Sequence, residues 1–152
     1  MNNKHIIYQE VISNFKLNGH FDKVKNKCLH VGVFVEPYLS YIIEGKKTIE
    51  SRFSKNKIAP YNKITKDDVI IVKKASGDIV GFIEITDIIF LDLTKTSIDK
   101  IKLIYGVKIC AKDTFWEMKK DSRYATLIFI KKFTSINSFS ITKNDMQSWI
   151  VL

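Results

Sequence analysis

Gly45-Lys46-Lys47-Thr48-Ile49-Glu50-Ser51-Arg52 is the stretch around which the chain is organised. The run before it, Tyr38-Leu39-Ser40-Tyr41-Ile42-Ile43-Glu44, has helical character. Gly45 follows its last apolar residues, where a helix stop is expected. From Thr48 to Phe53 polar and apolar residues alternate, which predicts a strand. Alternation puts Thr48, Glu50 and Arg52 on one face and Ile49, Ser51 and Phe53 on the other. One face then offers a hydroxyl, a carboxylate and a guanidinium in a row, with Lys46 and Lys47 at the turn above.

The guanidinium stands out against the composition. The chain has two arginines, Arg52 and Arg123, among 25 basic residues. A chain so biased to lysine keeps arginine where a planar fork of donors is needed. The plain alternative is a surface pair of Glu50 and Arg52 on an exposed sheet face, which contributes little.

Gly-x-Lys-x-x-Glu-x-Arg after an apolar helix resembles the signature of ASCH domains, in the PUA-like superfamily. It is carried here by Gly45, Lys47, Glu50 and Arg52. His30-Val31-Gly32-Val33-Phe34-Val35-Glu36-Pro37-Tyr38 resembles the first strand and helix start of such domains. Asp67-Asp68-Val69-Ile70-Ile71-Val72 resembles their Gly-Asp-x-Ile-x-Ile strand, with Asp67 where Gly is usual. The resemblance covers residues 28–152 and leaves 1–27 as an N-terminal helical extension.

The resemblance implies binding of RNA or a nucleobase. One branch of the family is an amidohydrolase that removes the acetyl group of N4-acetylcytidine with a Lys, a Thr and a Glu. That Lys corresponds to Lys47, but the position of the Thr, three residues later, is Glu50 here, and Thr48 is two residues away from it. The branch's Glu comes from a later segment, for which Glu84 and Glu117 are candidates. Other relatives have been proposed to cut RNA.

Outward from the signature, residues 4–16 place Ile6, Ile7, Val11, Ile12 and Phe15 near one helix face. Leu29–Val35 is a nearly continuous apolar strand, expected to be covered on both faces. Pro37 opens the helix after it. Residues 54–66 are polar and lysine-rich and are expected to form a loop. Val69–Val72 and Ile79–Phe90 form a hairpin through Ala75-Ser76-Gly77-Asp78, with Gly81 or Asp87 marking a bulge. Ser97 caps a helix that Gly106 ends, and Asp113 or Thr114 caps another. Tyr124–Ile130, Phe133–Ile141 and Trp149–Leu152 close the list of extended segments. About six strands with helices early and late predict an α+β fold, a small, partly open PUA-like β-barrel flanked by helices.

The 152 residues suit one domain with a sizeable core, and 45% of them are apolar. No apolar run reaches the ~18–20 residues of a membrane span. Met1-Asn2-Asn3-Lys4-His5 lacks the apolar core of a signal peptide. Cys28 and Cys110 have no paired spacing, which fits a reducing cytoplasm. A net charge of +9 favours an anionic partner such as RNA or a nucleotide. The alternative is an interaction domain whose charge is incidental.

Metal and cofactor chemistry is not expected. His5, His20 and His30 are scattered, Cys28 and His30 are an isolated pair, and no phosphate-binding glycine loop is present. Cys110 between Lys108 and Lys112 is a nucleophile on paper, and an idle thiol is the simpler reading. The expected ligand-binding residues are therefore Lys46, Lys47, Thr48, Glu50 and Arg52, with Trp116 as a stacking ring ahead of Phe53 and Tyr61. Lys47 and Glu50 are the candidate catalytic pair. Each ring also has a plain role in core packing.

Overall fold

The structure, a computed structural model, describes residues 3–152. Met1 and Asn2, the first residues of the proposed extension, lie outside the described residues. Among the described residues, helices α1 (Asn3–Leu17), α2 (Phe21–Val24), α3 (Tyr38–Ile43), α4 (Ile98–Ile109) and α5 (Asp113–Lys119) are interspersed with six strands. These are β1 (Leu29–Phe34), β2 (Ile49–Ser54), β3 (Val69–Lys74), β4 (Ile79–Asp92), β5 (Tyr124–Phe139) and β6 (Trp149–Val151). They form one mixed sheet in the order β2-β5-β4-β3-β1-β6. The expected α+β fold of about six strands is what the described residues form.

The chain divides into two compact units. The first contains the residues up to Val35, Asp67–Glu84 and Lys132–Leu152. In it β1 runs parallel to β3, Leu29 opposite Val69, and antiparallel to β6. Ile7, Val11 and Phe15 recur every four residues along α1 and are fully buried. They share a core with Val31, Ile71, Phe82 and Ile150. Burying an apolar side chain of this size stabilises by about 1.5–3 kcal/mol, so α1 owes its place to this face.

The β3–β4 ladder of this unit steps from Val72 opposite Gly81 to Lys73 opposite Ile79, leaving Val80 as the extra residue of a bulge. Gly81 is required there, because a Cβ would lie 2.4 Å from the Thr134 carbonyl oxygen.

The second unit comprises Glu36–Lys66 and Ile85–Lys131. Here β2 pairs antiparallel with β5, from Ile49 opposite Phe129 to Ser54 opposite Tyr124. Ile49 and Phe53 face a core of Ile101, Ile109, Trp116, Ala125 and Leu127, as the alternation of β2 requires. The loop after β2 is pinned by Tyr61, which stacks on Tyr124 at 4.8 Å and meets the edge of Phe90 at 5.6 Å.

Four local expectations are corrected. Gly106 does not end α4, which continues to Ile109; Cys110 takes the left-handed conformation, φ 56°, that closes it. The penalty of about 0.5–1 kcal/mol for a mid-helix glycine is outweighed by complete burial of Ile109. Tyr124–Ile130 and the segment from Phe133 are one 16-residue strand. Pro37 precedes the first turn of α3 as its N-cap instead of opening it. Asp113 begins α5, whose N-cap is Lys112.

Candidate ligand site on the signature strand

Glu44 ends α3 and Gly45 follows at φ 81°, where an L side chain is strained. This turn sets Lys47 facing inward at the foot of β2. Its backbone N–H donates to the Tyr41 carbonyl at 3.0 Å. Lys47 is only 4% exposed, and its Nζ donates to the Ile109 carbonyl at 2.6 Å. The next residue repeats the pattern, the Thr48 N–H donating to the Lys108 carbonyl at 2.9 Å. The last carbonyls of a helix have no partner within it. Lys47 and Thr48 supply two of the missing donors for α4, and a cation suits that negative end of the helix dipole. The ring of Tyr38 lies 5.6 Å from the same ammonium.

Burial pushes the Lys47 pKa below the usual lysine value. The Glu50 carboxylate opposes that shift and the Arg52 guanidinium adds to it. Glu50 is 6% exposed, and its Oε1 accepts the Ser51 N–H at 3.0 Å and stands 3.7 Å from Arg52 Nε. The Arg52 side chain is 19% exposed. Burial lowers its pKa and Glu50 works against this, and a guanidinium remains charged throughout the accessible pH range. Lys47, Glu50 and Arg52 thus form one largely buried group of two cations and a carboxylate.

The other expected residues lie elsewhere in this unit. Lys46 is exposed, 3.2 Å from Glu44 and over the Tyr41 ring. It lines an open groove of about 430 Å³ with Tyr41, Cys110 and Lys112. Thr48 is exposed. Trp116 is 7% exposed, with ring centroids of Phe53 and Phe115 at 6.0 and 5.5 Å. That is core packing, whereas a base stack requires an open face. Glu117 is exposed and pairs with Lys120 at 2.7 Å. In the first unit Glu84 pairs with Lys23 at 3.6 Å.

One cluster in the first unit was not anticipated as a group. Cys28, His30 and Asp68 bring three potential metal-ligating atoms within 4.8 Å of one another. His30 is fully buried. Trp149 Nε1–H donates to His30 Nδ1 at 3.0 Å, which makes Nδ1 the acceptor and places the proton on Nε2. Nε2–H then donates to Asp68 Oδ2 at 2.9 Å. A metal on Nε2 would displace that proton and leave the ring anionic, or move it to Nδ1, against the indole N–H. The cluster therefore does not fit a metal, and the imidazole is a satisfied core group. Burial lowers its pKa, and Asp68 opposes that shift. Alternate placement of Cys28 and His30 was visible in the sequence; the parallel β1–β3 register that adds Asp68 was not.

The family model described as ASCH domain matches residues 33–147, more than half of the chain. The protein belongs to the ASCH domain family. Among solved structures it is similar to ASCH from Zymomonas mobilis, at TM-score 0.63 and 16% identity, over 82% of this chain and 87% of that one. A serine-to-alanine mutant of the Zymomonas mobilis protein gives TM-score 0.64 at 15% identity, again over 82% and 87%. At such identities the likeness establishes the PUA-like fold alone. No curated protein matches the chain.

Proposed function

We propose that the protein binds RNA, or a modified nucleoside derived from it, through Lys47, Glu50 and Arg52. ASCH domains are associated with RNA binding, and the net charge of +9 suits that partner. The observation that carries the proposal is the placement of Glu50 beside Arg52, 3.7 Å apart, in a largely buried group whose arginine side chain stays 19% exposed. Such a pair matches a base edge, the carboxylate accepting from an exocyclic amine and the guanidinium donating to oxygens. With two unpaired cysteines, the cytoplasm is the proposed compartment.

A second reading is hydrolysis of an amide on a modified cytidine. Its support is the lowered pKa of Lys47, which moves the amine toward a value useful to a general base. Against it, Lys47 is already engaged at the end of α4, and Glu50 stands where that chemistry calls for a hydroxyl. Binding is the better supported.

The test is a screen of modified nucleosides and short RNAs for binding and turnover by mass spectrometry. Binding without turnover is expected. Release of acetate from N4-acetylcytidine by the wild type, abolished in a folded Lys47→Ala variant, would install the hydrolase in its place. No binding of either ligand class would leave an interaction domain with incidental charge.

A further inference from the structure

The second unit carries a basic surface outside the signature group. Residues 53–66 contain four cations, Lys55, Lys57, Lys63 and Lys66, and no acid. Lys55, Lys57 and Lys63 are exposed. Arg123, the chain's other arginine, joins them because its N–H donates to the Ser54 carbonyl at 2.9 Å, where the loop leaves β2. Lys57 Nζ and the Arg123 guanidinium both lie over the Tyr124 ring, at 5.6 and 5.7 Å. Elsewhere lysines such as Lys46, Lys102 and Lys120 pair with carboxylates. Among the described residues Lys55, Lys57, Lys63 and Arg123 have no carboxylate within the 4 Å of an ion pair.

The segment is long for a loop, yet it is anchored. Pro60 and Ile64 are buried, and Tyr61 is held between Tyr124 and Phe90. Cations on an anchored segment lose less conformational freedom when they meet a ligand than cations on a free one. Their chemistry is that of phosphate contact: point charges from lysine and a planar fork from arginine. A free nucleoside has no phosphate and no use for this surface. A polynucleotide does, and a base presented to Glu50 and Arg52 has to be unpaired.

We propose that Lys55, Lys57, Lys63 and Arg123 form a platform for the phosphate backbone of single-stranded RNA. This rests on the RNA-binding reading above and specifies that the ligand is a strand, not a lone nucleoside. The platform supplies affinity without reading sequence, while base recognition stays with the signature group.

The experiment titrates a short fluorescein-labelled single-stranded RNA by anisotropy across a range of salt concentrations. It compares wild type, a Lys55→Ala/Lys57→Ala/Lys63→Ala variant and Arg123→Ala, with nucleoside binding measured in parallel. Each phosphate contact on a single strand contributes a salt slope of about −0.7. The triple variant is expected to lose up to about 2 from the slope and at least about tenfold in affinity at low salt. Arg123→Ala should lose up to about 0.7, and nucleoside binding should not change. RNA binding with an unaltered slope in both variants would overturn the platform and leave the functional reading intact. Nucleoside binding without RNA binding would overturn the platform and the RNA half of that reading. Absence of both would overturn both.

Discussion

Lys47 closes the end of α4: its ammonium donates to the carbonyl of Ile109, the last residue of that helix, at 2.6 Å. The lysine of the family signature is therefore also a structural residue. Lys47→Ala should destabilise the protein by about 2–4 kcal/mol, from loss of a charge-assisted hydrogen bond and exposure of an unmet buried carbonyl. Chemical denaturation measures this, and a loss below about 0.5 kcal/mol would rule out the capping role. Any functional assay of the variant requires proof of folding first.

The same burial predicts a pH signature. The folded-state pKa of Lys47 lies below its unfolded value, so between the two the unfolded chain binds more protons. The penalty for burying the ammonium is full below the folded pKa and is relieved as pH rises toward the unfolded value. The stability of the wild type relative to Lys47→Met should accordingly increase with pH in that alkaline window. A flat difference would mean that Lys47 keeps its ordinary pKa.

Arg52→Lys keeps the charge and removes the fork. If Arg52 reads ligand geometry, affinity for the bound nucleoside or RNA should fall about tenfold or more, the equivalent of one charge-assisted hydrogen bond. Calorimetric titration decides it, and equal affinities would exclude Arg52 as a geometric reader.

Trp149→Phe strips the donor from His30 Nδ1 and leaves a buried acceptor unmet. A loss of about 1–3 kcal/mol is expected. The wild type should also fail to bind zinc at Cys28, His30 and Asp68 in a competition titration. Stoichiometric binding would show that the indole does not hold the ring in its Nε2–H tautomer.

Gly81→Ala forces a Cβ against the Thr134 carbonyl and the Phe133 ring. Both neighbours lie on β5, so relief requires movement of a strand. A cost of about 1–3 kcal/mol or more follows, measurable as a lower midpoint in denaturant.

The signature strand was legible because its information is local. Gly45 marks the end of α3 by its backbone conformation, and alternation from Thr48 to Phe53 assigns each residue a face. Patterning along the chain supplied the count of about six strands, and the family resemblance supplied the PUA-like fold that such a count matches. What could not be read is what distant packing decides. Gly106 looks like a helix stop until Ile109 is seen to be buried beyond it. Trp116 looks like a stacking ring until Phe53 and Phe115 are seen around it. Lys47 looks like a free amine until the end of α4, 62 residues away in the chain, accepts from it. No spacing rule joins Asp68 to His30, because only a parallel register does so.

Among the described residues, β2 stands first in the order of the sheet and pairs with β5. The Thr48 carbonyl accepts from the Ile130 N–H across the ladder, so the N–H of Ser51, three residues on, points the other way. Glu50 folds its carboxylate back onto that N–H. The acid at the centre of the candidate site thus also satisfies an outward amide in the middle of a strand whose Ile49, Glu50 and Ser51 are buried. A different chemistry at this position would leave that buried N–H without its acceptor, a loss of about 1–3 kcal/mol.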